Sequence, residues 1–216
     1  MKIKGLLFDL DGVIVETAKY HYLAWKEIAE ELNIDFTLED NERLKGVSRT
    51  KSFEILLEIG NIKLSEEKFN EYCKLKNDIY LSYINKMDKS EILPGVKEFI
   101  MDSRTKGYKI ALGSASKNSM TILEKLDIVN FFDVIIDGTK VSKAKPDPEV
   151  FLNGALNLGL KPEECLVFED SFSGIEAAHN GKIKAVGIGE SESLKGADLI
   201  INSFNGTNID IICESI

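Results

Sequence analysis

Residues 6–14 read Leu-Leu-Phe-Asp-Leu-Asp-Gly-Val-Ile, a short apolar run that closes on two carboxylates and a glycine. An apolar stretch of this length ahead of Gly12 reads as a buried strand feeding a loop. Asp9 and Asp11 then stand at a strand's C-terminal end, where open α/β sheets gather their ligand-binding groups. Unpaired carboxylates in such a place are costly. A divalent cation would relieve that cost, so the pair reads as a functional site.

Further apolar runs fall at 108–113, 133–137, 165–169, 183–188 and 198–201. Helical patterns separate most of them, near 97–106, 117–127, 148–158 and 173–180. Strands alternating with helices at this spacing predict a doubly wound parallel sheet of the α/β class. Asp147-Pro148 offers a helix start and Gly159 a helix stop.

Between residues 17 and 87 the texture changes. Ala18, Tyr22, Trp25, Ala29 and Leu32 recur at spacings of four and three, an amphipathic helix stripe. Further helices are expected near 38–44, 50–59 and 65–84. The reading is an all-helical insertion, 17–87, in an α/β core made of 1–16 and 88–216.

Bulk properties agree with an ordinary globular chain. It has 216 residues, 44% hydrophobic and 29% charged. No segment approaches the roughly 18 apolar residues of a membrane span. Asp9 falls too early for a signal peptide, and Cys73, Cys165 and Cys213 are scattered without a C-x-x-C pair, so a cytoplasmic protein with reduced thiols is expected. A net charge of −9 argues against nucleic acid or anionic membranes as partners. Any cations that bind a phosphate must then be gathered locally.

Three such pieces accompany the paired acids. Gly113-Ser114-Ala115-Ser116-Lys117-Asn118 follows a strand and opens a helix, presenting hydroxyls and N–H groups suited to an anion; a plain helix cap is the alternative. Lys145, held extended before Pro146, could neutralise a phosphate or simply face solvent. Glu169-Asp170 closes a second apolar strand, and acids ending two strands of one parallel sheet meet at one edge. Such oxygens suit Mg²⁺.

In the order D-x-D, Ser, Lys, E-D, each just past a strand, the four pieces resemble the haloacid dehalogenase superfamily. The resemblance implies a Rossmann-like core with an inserted cap, and Asp11 favours phosphoryl transfer over dehalogenation. Within the superfamily the match extends through Thr17-Ala18, Tyr20-His21, Ala24-Trp25-Lys26, Leu44 to Arg49 and Glu169-Asp170-Ser171, which is similar to its glucose-phosphate mutases. It implies Asp9 as nucleophile and Asp11 as general acid and base. Mg²⁺ would take Asp9, the Asp11 carbonyl and Asp170, with Glu169 in or near its shell. Ser114, Ala115 and Lys145 would hold the transferring phosphoryl group. Arg49, with Ser116, Lys117 and Asn118, would grip the other phosphate. Thr17, His21, Trp25, Gly46, Val47, Ser52 and Lys76 would line the sugar pocket, and Lys45 would add a substrate- or phosphate-binding cation. The implied reaction interconverts the 1- and 6-phosphates of glucose in a monomer, through an aspartyl-phosphate and a glucose 1,6-bisphosphate. A sugar-phosphate phosphatase of the same fold is the nearer alternative, and a non-catalytic phosphosugar binder the more distant one. Glu16 at the insertion boundary and the stretch Asp137-Gly138-Thr139-Lys140 depart from the family pattern.

Overall fold

A computed structural model describes residues 2–44, 47–189 and 194–216. The chain divides into two compact units, one of residues 1–16 and 88–216, the other of residues 17–87.

The first unit is built on six parallel strands. These are β1 (Gly5–Phe8), β2 (Lys109–Gly113), β3 (Val134–Ile136), β4 (Cys165–Glu169), β5 (Lys184–Ile188) and β6 (Leu199–Ile201), in the order β3-β2-β1-β4-β5-β6. This is the doubly wound sheet expected from the alternation of runs. Strand order reverses between β1 and β4, and ligands of such sheets bind outside the carboxyl ends at that reversal.

Side chains alternate across the sheet as the period of two demands. Leu7 pairs in register with Ala111 on β2 and Val167 on β4, and Val167 with Ala185 on β5. All four face one buried cluster with Val150, Phe151 and Ala155 of helix α7 (Glu149–Asn157) and Ile175, Ala177 and Ala178 of helix α8 (Phe172–Asn180). One residue on, Phe8 stacks on Phe168 with ring centroids 4.7 Å apart, and both meet Phe99 of helix α5 (Val96–Thr105) and Phe204. Strands buried on both faces explain the near-continuous apolar runs. Helix α7 starts at Glu149, whose N–H donates to Asp147 Oδ1 at 3.0 Å, and Gly159 follows its end in the left-handed region at φ 70°.

The second unit contains α1 (Ala18–Glu31), α2 (Leu38–Glu42), α3 (Arg49–Ile59) and α4 (Glu66–Ile84). Trp25, Ile28 and Ala29 of the expected stripe are buried with Phe36, Phe53 and Leu56, and Trp25 stacks on Phe53 at 5.7 Å. Hydroxyl caps start three helices: Thr37, Ser48 and Ser65 accept the N–H of Asp40, Lys51 and Lys68. Among the described residues, no helix is long and apolar enough to cross a membrane.

The remaining helices, α6 (Ser119–Leu126) and α9 (Ile209–Ser215), belong to the first unit. Helix α9 has no counterpart in the sequence reading, because seven residues are too few to display helical periodicity.

Candidate active site

Asp9 directly follows β1, and its N–H still pairs with the Phe168 carbonyl at 3.0 Å, so the pairing with β4 continues to this residue. Its carboxylate is buried. Lys145 donates to Asp9 Oδ1, and also to Glu169 Oε1 at 2.5 Å. The lysine side chain is only 8% exposed, which excludes the alternative of a solvated lysine. The other Glu169 oxygen accepts the N–H and the hydroxyl of Ser171, both at 2.9 Å.

Asp170 reaches back toward the loop after β1. Gly12 sits there at φ 74°, in the left-handed region that glycine tolerates, and a Cβ placed on it would lie 2.0 Å from Asp170 Oδ2. That loop is closed by Gly12 N–H donating to Val15 at 2.8 Å, and Asp11 forms a backbone bridge with Val15. The acids of the two strand ends therefore converge at the reversal of strand order.

Charge is unbalanced in this cluster. Among the described residues, Lys145 is the ammonium that bonds Asp9 and Glu169, set against the three carboxylates of Asp9, Glu169 and Asp170. Burial raises the pKa of Asp9 to about 7; Lys145 opposes the rise while Glu169 and Asp11 add to it. Asp170 is pushed up to about 8, by burial first and then by Asp9, Glu169 and Asp11. Burial works against the charged form of Lys145, but Asp9 and Glu169 outweigh it and hold the ammonium firmly protonated.

Among the described residues no three His, Cys, Asp or Glu side chains form a ready metal cage. The donor set nonetheless fits a hard cation that keeps part of its water: Asp9 and Asp170 are oxygen donors left proton-hungry, with the Asp11 main chain beside them. Glu169 already spends both oxygens on Lys145 and Ser171.

Ser114, past the end of β2, is buried, and its Oγ accepts the Ser116 N–H at 3.1 Å. Ser116 in turn accepts from Asn118 N–H at 3.2 Å, so the loop turns its backbone into helix α6. The exposed Ala115 and Lys117 lie on this loop. Gly138 braces it from below, donating its N–H to the Ser116 carbonyl at 3.1 Å.

Within the helical unit a second cationic group assembles. Arg49 donates to Asn77 Oδ1 at 2.7 Å, and Lys76 Nζ lies 2.8 Å from His21 Nδ1. Lys76 also stands over the rings of Trp25 and Tyr80, and His21 stacks on Tyr80 at 4.2 Å. Burial, then Lys76 and Arg49, hold the His21 pKa well below its ordinary value. Thr17 and Ser52 are buried and Val47 is exposed, whereas Lys45 and Gly46 lie outside the described residues.

Sequence reasoning missed Asn77, Tyr80, Ser171 and Gly138 as site residues. Asn77 follows Lys76 directly and Ser171 closes the Glu169-Asp170-Ser171 run, so adjacency was the available signal. Tyr80 stands one helical turn beyond Lys76 on α4 and reads as core, while Gly138 carries no chemical group to notice.

Against known proteins, residues 6–188 match the model of the haloacid dehalogenase-like hydrolase family. The chain is 38% identical to a β-phosphoglucomutase of Bacillus subtilis, covering 98% of this chain and 95% of that one. It is 32% identical to a phosphorylated carbohydrates phosphatase of Thermotoga maritima, over 85% and 84% of the two chains. Among solved structures, a β-phosphoglucomutase from Clostridium difficile superposes with a TM-score of 0.91 at 40% identity, covering 99% of this chain and 96% of that one.

Proposed function

Because this chain belongs to the haloacid dehalogenase-like hydrolases, we propose that it works as a β-phosphoglucomutase, interconverting β-glucose 1-phosphate and glucose 6-phosphate through a bound glucose 1,6-bisphosphate. The observation that carries the phosphoryl-transfer part is the placement of Lys145 on Asp9 and Glu169 together. The likeness to β-phosphoglucomutases runs through the helical unit as well as the sheet.

In this reading an Asp9 oxygen attacks phosphorus, forming an aspartyl-phosphate as the bond to the sugar oxygen breaks. Asp11 donates the proton that the leaving sugar oxygen needs, then takes one from the hydroxyl that attacks in the return step. Lys145 offsets the repulsion between carboxylate and phosphate. The Ser114 hydroxyl and the Ala115 N–H hold phosphoryl oxygens. Mg²⁺, held by Asp9, Asp170 and the Asp11 carbonyl with Glu169 in or near its shell, would supply positive charge to the cluster and keep Asp9 ionised.

The helical unit serves as the cap, and the chain acts as a cytoplasmic monomer. Arg49, oriented by Asn77, grips the phosphate that is not being transferred, and Ser116, Lys117 and Asn118 are further phosphate-binding residues. Thr17, His21, Trp25, Val47, Ser52 and Lys76 form the sugar pocket. A second cationic grip lets a bisphosphate be held by either end, which a mutase needs and a hydrolase does not.

The second reading, a sugar-phosphate phosphatase, is favoured by the Thermotoga maritima relative. One assay separates them: purified protein with Mg²⁺, β-glucose 1-phosphate and a trace of bisphosphate primer. Glucose 6-phosphate should appear faster than inorganic phosphate; the reverse order decides for the phosphatase.

A further inference from the structure

Glycine 174 stands in the first turn of α8, where the backbone does not require it. Its φ lies outside the left-handed region, its N–H already donates to the Ser171 cap at 3.1 Å, and alanine is the better helix former at such a position. The three atoms nearest to a side chain placed there belong to one residue. A Cβ on Gly174 would lie 1.8 Å from Glu169 Oε1, 1.9 Å from Glu169 Cδ and 2.4 Å from Oε2. All three atoms belong to a carboxylate that is 1% exposed, bonded to Ser171 on one side and to Lys145 on the other.

We infer that Gly174 is a positioning residue: its missing side chain is the space in which the Glu169 carboxylate lies against α8 while holding Lys145 to Asp9. A methyl group there has nowhere to go, because the carboxylate is fixed at both ends and cannot swing aside without releasing Lys145. The helix thus gives up intrinsic propensity for the placement of an acid on the neighbouring strand. The inference deepens the reading of this cluster as the phosphoryl-transfer site and rests on it.

The test is a cycle of Gly174→Ala and Glu169→Ala, read by Mg²⁺ affinity in calorimetry, by metal-free Tm, and by turnover. Residues that support metal ligands typically cost 10- to 100-fold in metal affinity when changed. Gly174→Ala is expected to weaken Mg²⁺ binding and kcat/KM by about tenfold or more and to lower Tm. In a Glu169→Ala background the same change should cost less than about twofold, because the clash is gone. Gly154→Ala is the control: its Cβ would meet only apolar atoms, at 3.1 Å from Leu7, so Mg²⁺ affinity should stay unchanged. If Gly174→Ala does not fold but the double variant does, the inference stands. Equal cost in both backgrounds, wild-type Mg²⁺ affinity in Gly174→Ala, or failure of both to fold overturns it. Metal affinity and Tm are measured without sugar, so a chain that proves to be a phosphatase leaves these arms intact.

Discussion

Lys76 donates to Nδ1 of His21 across 2.8 Å, and since an ammonium has no lone pair, His21 must accept there. The imidazole is therefore neutral with its proton on Nε2, and that nitrogen is presented as a donor. Two cations and burial enforce the state: protonating His21 would place a third positive charge beside Lys76 and Arg49. Such an arrangement suits a group that donates to a neutral sugar hydroxyl.

Removing the lysine charge should make this visible. In the native protein His21 should titrate well below an ordinary histidine, which titrates near 6.5. In Lys76→Met its pKa should rise toward the ordinary value yet stay below it, because burial and Arg49 remain. NMR titration of the His21 ring reads the outcome, and identical curves in the two proteins would contradict the assignment.

The acid cluster gives a pH dependence of definite sign. Asp9 and Asp170 have pKa values of about 7 and about 8 when folded, against about 3.9 for an unfolded aspartate. Between these limits the unfolded chain has lost protons that the folded one keeps. Without metal, their contribution to stability is full below about pH 4 and is lost as pH rises to about 8. A bound cation competes with those protons, so the rise in Tm produced by Mg²⁺ should be larger at pH 8.5 than at pH 5.5. Calorimetric scans at the two values, with and without Mg²⁺, check it; an equal or opposite trend would show that the cation binds elsewhere.

Most of the fold was legible because it depends on local pattern. Two-faced burial makes Leu6 to Phe8 and Leu166 to Phe168 continuous apolar runs, and a strand ending in an acid announces itself. Geometry reached through space was not legible. Nothing in the residue order says that Lys145, 136 positions from Asp9, also reaches Glu169. Nor does it say that Asn77 on α4 orients Arg49 on α3, since a neutral amide on a helix reads as solvated surface. Glycines were read as punctuation, which suits Gly159 but not Gly138, whose meaning lies in what approaches it.

The Asn77 contact predicts a separation of charge from orientation. Asn77→Ala should leave the Arg49 cation intact but unaimed, raising KM for the phosphosugar several-fold with little loss of Tm. Asn77→Asp keeps an acceptor for Arg49 but neutralises its charge, so it should be the worse variant. Arg49→Ala should lower mutase activity more than any slow release of inorganic phosphate, since only the mutase needs a second grip. Paired assays of glucose 6-phosphate and phosphate give the ratio, and equal loss of both activities would count against the second phosphate site.

Asp170 should show the trade between stability and function that a buried, under-neutralised acid creates. Asp170→Asn removes a charge that burial and three neighbouring acids oppose, while keeping nearly the same shape. At pH 8 and without metal this variant should melt higher than the native protein, each kcal/mol appearing as about 2–4 °C in a chain of this size. It should also lose the Mg²⁺-dependent rise in Tm and the turnover that goes with it. A lower metal-free Tm would mean that Asp170 is stabilised by contacts its charge is needed for.

Gly138 carries the last prediction. A Cβ on it would lie 2.2 Å from the Ala115 carbonyl oxygen and 3.1 Å from the Lys117 N–H nitrogen. Both are backbone atoms, which cannot turn aside as a side-chain tip can. The loop is also tied from the other side, since Ser116 accepts the Gly138 N–H and the Ser119 hydroxyl on the same carbonyl. Asp137 fixes the Gly138 turn in turn, its buried Oδ1 accepting the N–H and the hydroxyl of Thr139 at 2.9 and 2.5 Å. Gly138→Ala must therefore move the Ala115–Lys117 backbone rather than the turn. A displacement of about 1 Å in a group that positions substrate can cost up to about 100-fold in rate. The variant should keep Lys145 on Asp9, and with it the native Mg²⁺ affinity, while kcat/KM falls by about tenfold or more. Loss of metal affinity alongside activity would mean that the change had spread to the acid cluster, and unchanged kinetics would mean that the loop does not touch the phosphoryl group.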